Sequence, residues 1–103
     1  MGQNDIVSTP QTKVRPKIEK PRLYKVILFN DDYTPREFVQ MILQAVFRTG
    51  DSVGYHIMMT AHRKGSCVVA VYTRDVAETK VKEAMDYAKD AGFPLMFKAE
   101  PEE

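Results

Sequence analysis

The chain has 103 residues, room for one domain with a modest core and little space for a deeply enclosed active site. Its 15 Lys and Arg nearly balance 14 Asp and Glu with no dense basic block, so no nucleic-acid footprint is expected. A single cysteine, Cys67, excludes an intrachain disulfide; with no transmembrane-length apolar run and no signal-like start, the expected address is a reducing cytoplasm with no membrane partner.

Residues 1 to 21 hold Pro10, Pro16 and Pro21 among polar residues, with Ile6, Val7, Val14 and Ile18 too scattered to form a stripe. Such a composition buries too little surface to offset ordering entropy and reads as a flexible tail. Leu23 to Phe29 is mostly apolar or aromatic and fits a strand buried on both faces. Asn30-Asp31-Asp32-Tyr33-Thr34-Pro35 follows as a turn rich in short acceptor side chains. Pro35 suits the first turn of a helix, with Thr34 as its N-cap and Glu37 closing a capping box. Val39, Ile42, Leu43 and Val46 recur at helical spacing, and Gly50 should end the element.

Asp51 or Ser52 is placed to cap a second helix over 52 to 64, with Val53, Ile57 and Ala61 on one side and Gly54 weakening its first turn. Cys67 to Tyr72 reads as a strand too apolar to lie wholly exposed. Thr73 is the expected cap of a third helix reaching Ala91, its buried stripe Ala77, Val81, Ala84 and Ala88, its outer side carrying Glu78 and Lys82 four residues apart. Gly92 stops it, and Phe93 to Lys98 gives the last strand before an acidic end over 100 to 103. The order strand, helix, helix, strand, helix, strand predicts a two-layer α/β sandwich.

Asn30, Asp31 and His62 are the residues best suited to a shared site, provided the second helix packs across the end of the first strand. A carboxylate, an amide oxygen and a neutral imidazole nitrogen all accept from an ammonium group, whose N–H bonds need acceptors arranged around them. The same types could bind a divalent metal, but one histidine beside two adjacent aspartates has no recognised ligand spacing. Catalysis has less support: there is no phosphate loop, no HExxH and no serine elbow, and Cys67 sits inside an apolar strand as a small core residue would. No cofactor is expected.

The block Tyr24-Lys25-Val26-Ile27-Leu28-Phe29-Asn30-Asp31-Asp32-Tyr33-Thr34-Pro35, with Glu37-Phe38-Val39 after it, resembles the ClpS family, small adaptors that bring substrates to a Clp-type AAA+ unfoldase and its protease. Met58 with His62 and Gly65, Val71-Tyr72-Thr73 leading into Val76-Ala77-Glu78-Thr79-Lys80, and Pro94-Leu95 extend the resemblance over about residues 22 to 98. It implies an α+β core of three helices and a small three-stranded antiparallel sheet, like the carboxy-terminal domain of the ribosomal stalk protein, flanked by a tail over 1 to 21. Fold analogy to that domain alone would suggest docking to a ribosomal factor instead.

The resemblance further implies recognition of destabilising N-terminal residues, Phe, Tyr, Trp and Leu, in the N-end rule (N-degron) pathway. Asn30, Asp31 and His62 would hold the free α-amino group, and Asp32 the ligand backbone or the loop. Thr34, Val39, Met58, Ala61 and Leu95 would line a side-chain pocket. Arg36 stands at its rim where described family members carry Met, and Ala61 where they carry Val, which implies an altered side-chain preference. Asp75, Glu78, Thr79 and Lys80 would dock on the N-terminal domain of a ClpA-like unfoldase, and the protein would act as a monomer whose N-terminal tail is engaged by the unfoldase pore.

Overall fold

A computed structural model describes residues 20–103; the sequence-based reading of a flexible tail falls almost entirely outside the described residues. Strand β1 (Leu23–Phe29) is followed by helices α1 (Arg36–Phe47) and α2 (Asp51–Lys64), strand β2 (Ser66–Thr73), helix α3 (Arg74–Ala91) and strand β3 (Met96–Pro101). The sheet order is β2-β1-β3 with both pairings antiparallel, and the three helices with this sheet form the expected architecture. β1 is central because its Val26, Ile27 and Leu28 are all buried, as a strand flanked on both sides requires. A bulge opposite Val26 and Ile27 leaves Val69 of β2 without a register partner.

Val26 and Leu28 face the helices and join Ile42, Leu43, Val46, Ile57 and Phe97 in one core. α3 contributes small residues, Ala77, Ala84 and Ala88, at most 1 % exposed, so its backbone lies close against the sheet. α1 packs on α2 and α3, with Phe47 stacked against Phe97 at 5.2 Å between ring centroids. No helix among the described residues is long and apolar enough to cross a membrane.

Several boundaries differ from expectation, each for a local reason. α1 has Pro35 as its N-cap and no side-chain cap hydrogen bond, so the Thr34 cap and the Glu37 capping box do not form. The Thr34 hydroxyl is committed to Asp31 instead. α1 ends at Arg48, a left-handed residue at φ 57, two positions before Gly50. Gly50 is the N-cap of α2, a place expected for Asp51 or Ser52.

Gly54 is more than a weak link in α2. A Cβ there would stand 2.8 Å from Thr49 Oγ1 and within 4 Å of Gln40 and Leu43 on α1. Its bare backbone sets the spacing of the two helices that flank the site below. On the outer side of α3 the ion pairs are Arg74–Glu78 and Lys82–Asp86, not Glu78 with Lys82. β3 starts at Met96 and runs to Pro101, because pairing with β1 back to Tyr24 holds the backbone whatever the side chains.

Candidate functional site

The site forms where β1 runs out. Asn30 N–H donates to the carbonyl of Gly65 at 3.0 Å, and Gly65, left-handed at φ 96, donates to the Ala61 carbonyl at 2.8 Å. A substituent at Gly65 would be strained at that φ, so glycine is required for the stop. These two bonds stitch the end of the strand to the end of α2, and Asn30 and His62, far apart in sequence, meet at one mouth.

The turn after Asn30 is held by one carboxylate. Asp31 Oδ1 accepts from Tyr33 N–H and Thr34 N–H, both at 2.8 Å, and the Thr34 hydroxyl lies 3.0 Å from Oδ1 and 2.8 Å from Oδ2. This Asx-type turn delivers the chain to Pro35, whose carbonyl accepts from Phe38 N–H and Val39 N–H to open α1. The bonds that secure the loop therefore converge on Asp31, while Asp32 and Tyr33 are exposed.

A third element is placed by an aromatic contact. Gly92 ends α3 in the left-handed region at φ 83, and the following Phe93 packs on Phe38 of α1 with ring centroids 4.8 Å apart. Pro94 then carries Leu95 inward, where it is 5 % exposed.

Together these elements enclose a cavity of about 340 Å³. Val39 of α1, Met58 and Ala61 of α2, Leu95 and Leu28 supply apolar wall, and Thr34 is the one buried polar residue among them. Asn30, Asp31, Asp32, Arg36 and His62 line the same cavity, all exposed except the half-buried Asp31. All ten residues expected at a binding site from the sequence thus border one space. The sequence reading missed Leu28, Phe29, Tyr33 and Pro35 as lining residues. The signal for Leu28 was present: strand alternation places it with Val26 on the helix-covered face.

The walls are also core residues, so the pocket is held open by the packing that stabilises the fold. The arrangement offers an apolar volume for one side chain and, at its mouth, an amide, carboxylates and an imidazole able to accept from a cation. No group of three or more His, Cys, Asp or Glu side chains among the described residues is arranged to hold a metal ion. Cys67 lies outside the cavity, and burial is the main cause raising its thiol above the ordinary value, partly offset by the nearby charge of Lys64.

Residues 19–98 match the family described as ATP-dependent Clp protease adaptor protein ClpS. The chain belongs to the ClpS family of Clp protease adaptors. It is 60 % identical to the ATP-dependent Clp protease adapter protein ClpS 2 of Agrobacterium fabrum, and 60 % identical to that of Rhizobium meliloti, in each case over the whole of both chains. Among solved structures it is similar to Agrobacterium tumefaciens ClpS2 bound to L-phenylalaninamide, with 65 % identity, TM-score 0.79, and coverage of 81 % of this chain and 100 % of that one. The matched family is one of adaptors to a protease, not the protease itself.

The residues expected to dock on an unfoldase lie apart from the cavity, on the first turns of α3. Asp75, Glu78 and Thr79 are exposed, Glu78 being paired with Arg74 at 3.2 Å. Lys80 differs: half-buried, it donates to the Val46 carbonyl at 2.9 Å and stands 5.6 Å from the Tyr72 ring centroid.

Proposed function

We propose that this adaptor captures proteins by a free N-terminal residue and delivers them to a ClpA-like AAA+ unfoldase for degradation. The observation that carries the reading is the junction of an apolar cavity with Asn30, Asp31 and His62 at its mouth. L-phenylalaninamide, the ligand named for the Agrobacterium tumefaciens relative, joins a free amine to a benzyl side chain, the two features this reading assigns to the mouth and the apolar wall of the cavity. In this reading Asn30, Asp31 and His62 accept from the α-ammonium group, Asp32 contacts the ligand backbone beyond it, and the side chain of Phe, Tyr, Trp or Leu is buried against Val39, Met58, Ala61 and Leu95. The ammonium exchanges hydration for directed bonds while the side chain leaves water, so neither half suffices alone.

Arg36 is exposed at the rim, where its guanidinium stacks on an aromatic ligand or meets an acidic second residue, and Ala61 leaves floor space for large rings. Binding therefore survives these two departures from the family pattern with a shifted preference among first residues. Delivery follows from simultaneous attachment to substrate and unfoldase, which raises the local concentration of substrate at the pore. Asp75, Glu78 and Thr79 form the rim of that docking face, and the N-terminal tail is the segment the pore engages.

The test is a set of fluorescent peptides differing only in their first residue, each with an acetylated copy, followed by anisotropy. Free-amine peptides beginning with Phe, Tyr, Trp or Leu are expected to bind and acetylated ones not. Binding that ignores acetylation, or no binding to any peptide, refutes the reading. Charge removal at Asp75 and Thr79→Ala should weaken association with the unfoldase and leave peptide affinity unchanged.

A further inference from the structure

We propose that Thr34 is a positioning residue for amine capture, acting through the Asp31 carboxylate rather than as an apolar wall of the cavity. The inference rests on the N-terminal-residue reading above and deepens it. Thr34 is 9 % exposed, and a hydroxyl at that depth needs a partner. It does not cap α1, which has no side-chain cap hydrogen bond. Its partner is Asp31, whose two oxygens lie 3.0 and 2.8 Å away, Oδ2 being the nearer.

The distribution of donors around that carboxylate gives the hydroxyl its role. Oδ1 already accepts the backbone N–H groups of Tyr33 and Thr34 at 2.8 Å each. A carboxylate has about four acceptor sites in all, so Oδ1 is filled by the loop backbone, whereas Oδ2 takes the one hydroxyl proton and keeps a further site. Two amides alone would pin one oxygen and leave the other to swing about it. The hydroxyl supplies the second point of attachment, and rotation of the carboxylate then breaks bonds at both oxygens. An acceptor fixed before the ligand arrives loses less conformational freedom on capture, which is the advantage of a preorganised charge partner. The hydroxyl has a single proton, so while it donates to Asp31 its own oxygen remains an acceptor, within the set of residues that border the cavity.

Two substitutions separate this role from that of a wall. Thr34→Val keeps the shape and removes the donor; Thr34→Ser keeps the donor and removes the methyl. Affinity for a Phe-first peptide, free and acetylated, is measured for both variants alone and in an Asp31→Asn background, with the ranking of first residues and the urea midpoint. Positioning predicts that the serine variant binds within about 3-fold of the parent and the valine variant at least about 10-fold more weakly, the scale of a hydrogen bond to a charged group. The ratio of free to acetylated binding collapses in the valine variant while the order of preferred first residues persists. In the Asp31→Asn background the valine change adds less than about 2-fold, since the two act as one unit.

A wall predicts the reverse: valine binds like the parent and serine weakens. That outcome, or a valine penalty that persists undiminished beside Asp31→Asn, overturns the proposal. If the valine variant does not fold, serine alone decides, retention supporting the proposal and loss beyond about 10-fold overturning it. Amine-independent binding by the unsubstituted protein would instead refute the underlying reading, so the two failures are distinguishable.

Discussion

Replacing Lys80 by Met should destabilise the fold and spare ligand binding. α1 has no basic residue in its last turn, so the negative end of its dipole and the carbonyl of Val46 depend on a cation from elsewhere in the chain. Two other carbonyls near this end have backbone partners, Leu43 accepting from Thr49 and Gln44 from Arg48. Lys80 on α3 donates to the Val46 carbonyl at 2.9 Å and lies over the Tyr72 ring of β2, so one side chain ties three elements together. A hydrogen bond to a charged group contributes about 1.5–3 kcal/mol. The contact with Tyr72 adds roughly 0.5–1 kcal/mol in a half-exposed setting. Freeing the lysine returns rotamer entropy on the order of 1 kcal/mol, and methionine keeps part of the stem packing.

The net expected loss from Lys80→Met is about 1–2 kcal/mol, measured as a lower urea midpoint at unchanged m value. For a domain of this size the same loss lowers Tm by roughly 5–15 °C. Peptide affinity of the folded variant should stay within about 2-fold of the parent, because Lys80 does not line the cavity. A stability loss under about 0.3 kcal/mol would refute the assignment of Lys80 as a cap for α1 and return it to the docking face as a free charge.

Three further outcomes are expected. Arg48→Gly should stabilise the protein by about 0.5–1 kcal/mol in chemical denaturation, because Arg48 bears a left-handed φ of 57 that glycine adopts without strain. Ala61→Val should weaken binding of Trp-first peptides by about 10-fold and of Leu-first peptides by much less, because Ala61, 2 % exposed, borders the cavity and added methyl groups take volume from the largest ligand first; equal losses across a calorimetric series would argue against it. Stability should fall under alkaline conditions in part through Cys67, whose folded value is raised above its ordinary 9.0, chiefly by burial. The folded state there holds the proton more tightly than the unfolded one, so this contribution is complete below pH 9.0 and is lost as pH rises through the folded value. Cys67→Ala should flatten the alkaline limb of a pH series of urea midpoints and leave peptide binding alone.

The sequence by itself determined the order of the six elements and pointed to ten residues that border one cavity. Its hydrophobic periods change from a short apolar run to helical spacing at Asn30, and the left-handed stops at Gly65 and Gly92 fall at the glycines, because only those positions tolerate that φ without cost. Arg48 shows where this logic fails: the chain stops α1 in the left-handed region with a residue that does not prefer it, since the bonds to Leu43 and Gln44 and the packing beyond outweigh the local strain. The similarity of the motif blocks to the ClpS family named Asn30, Asp31, Asp32, Thr34, Arg36, Val39, Met58, Ala61, His62 and Leu95, and all of them border one cavity.

What only the tertiary structure decided is how they share the work. Which side chain holds the loop, Asp31 with Thr34 rather than a capping box, depends on the relative positions of a carboxylate and three donors within a single turn. Which helices approach closely depends on the absence of a Cβ at Gly54 opposite Gln40 and Leu43 of α1, a contact between elements that no local spacing encodes. Lys80 likewise reads in sequence as a docking residue on α3, and its bond to the Val46 carbonyl of α1 exists only because the two helices meet. Backbone propensity and periodicity are properties of neighbours along the chain; hydrogen-bond partnership and close packing are properties of neighbours in space, and the fold alone specifies those.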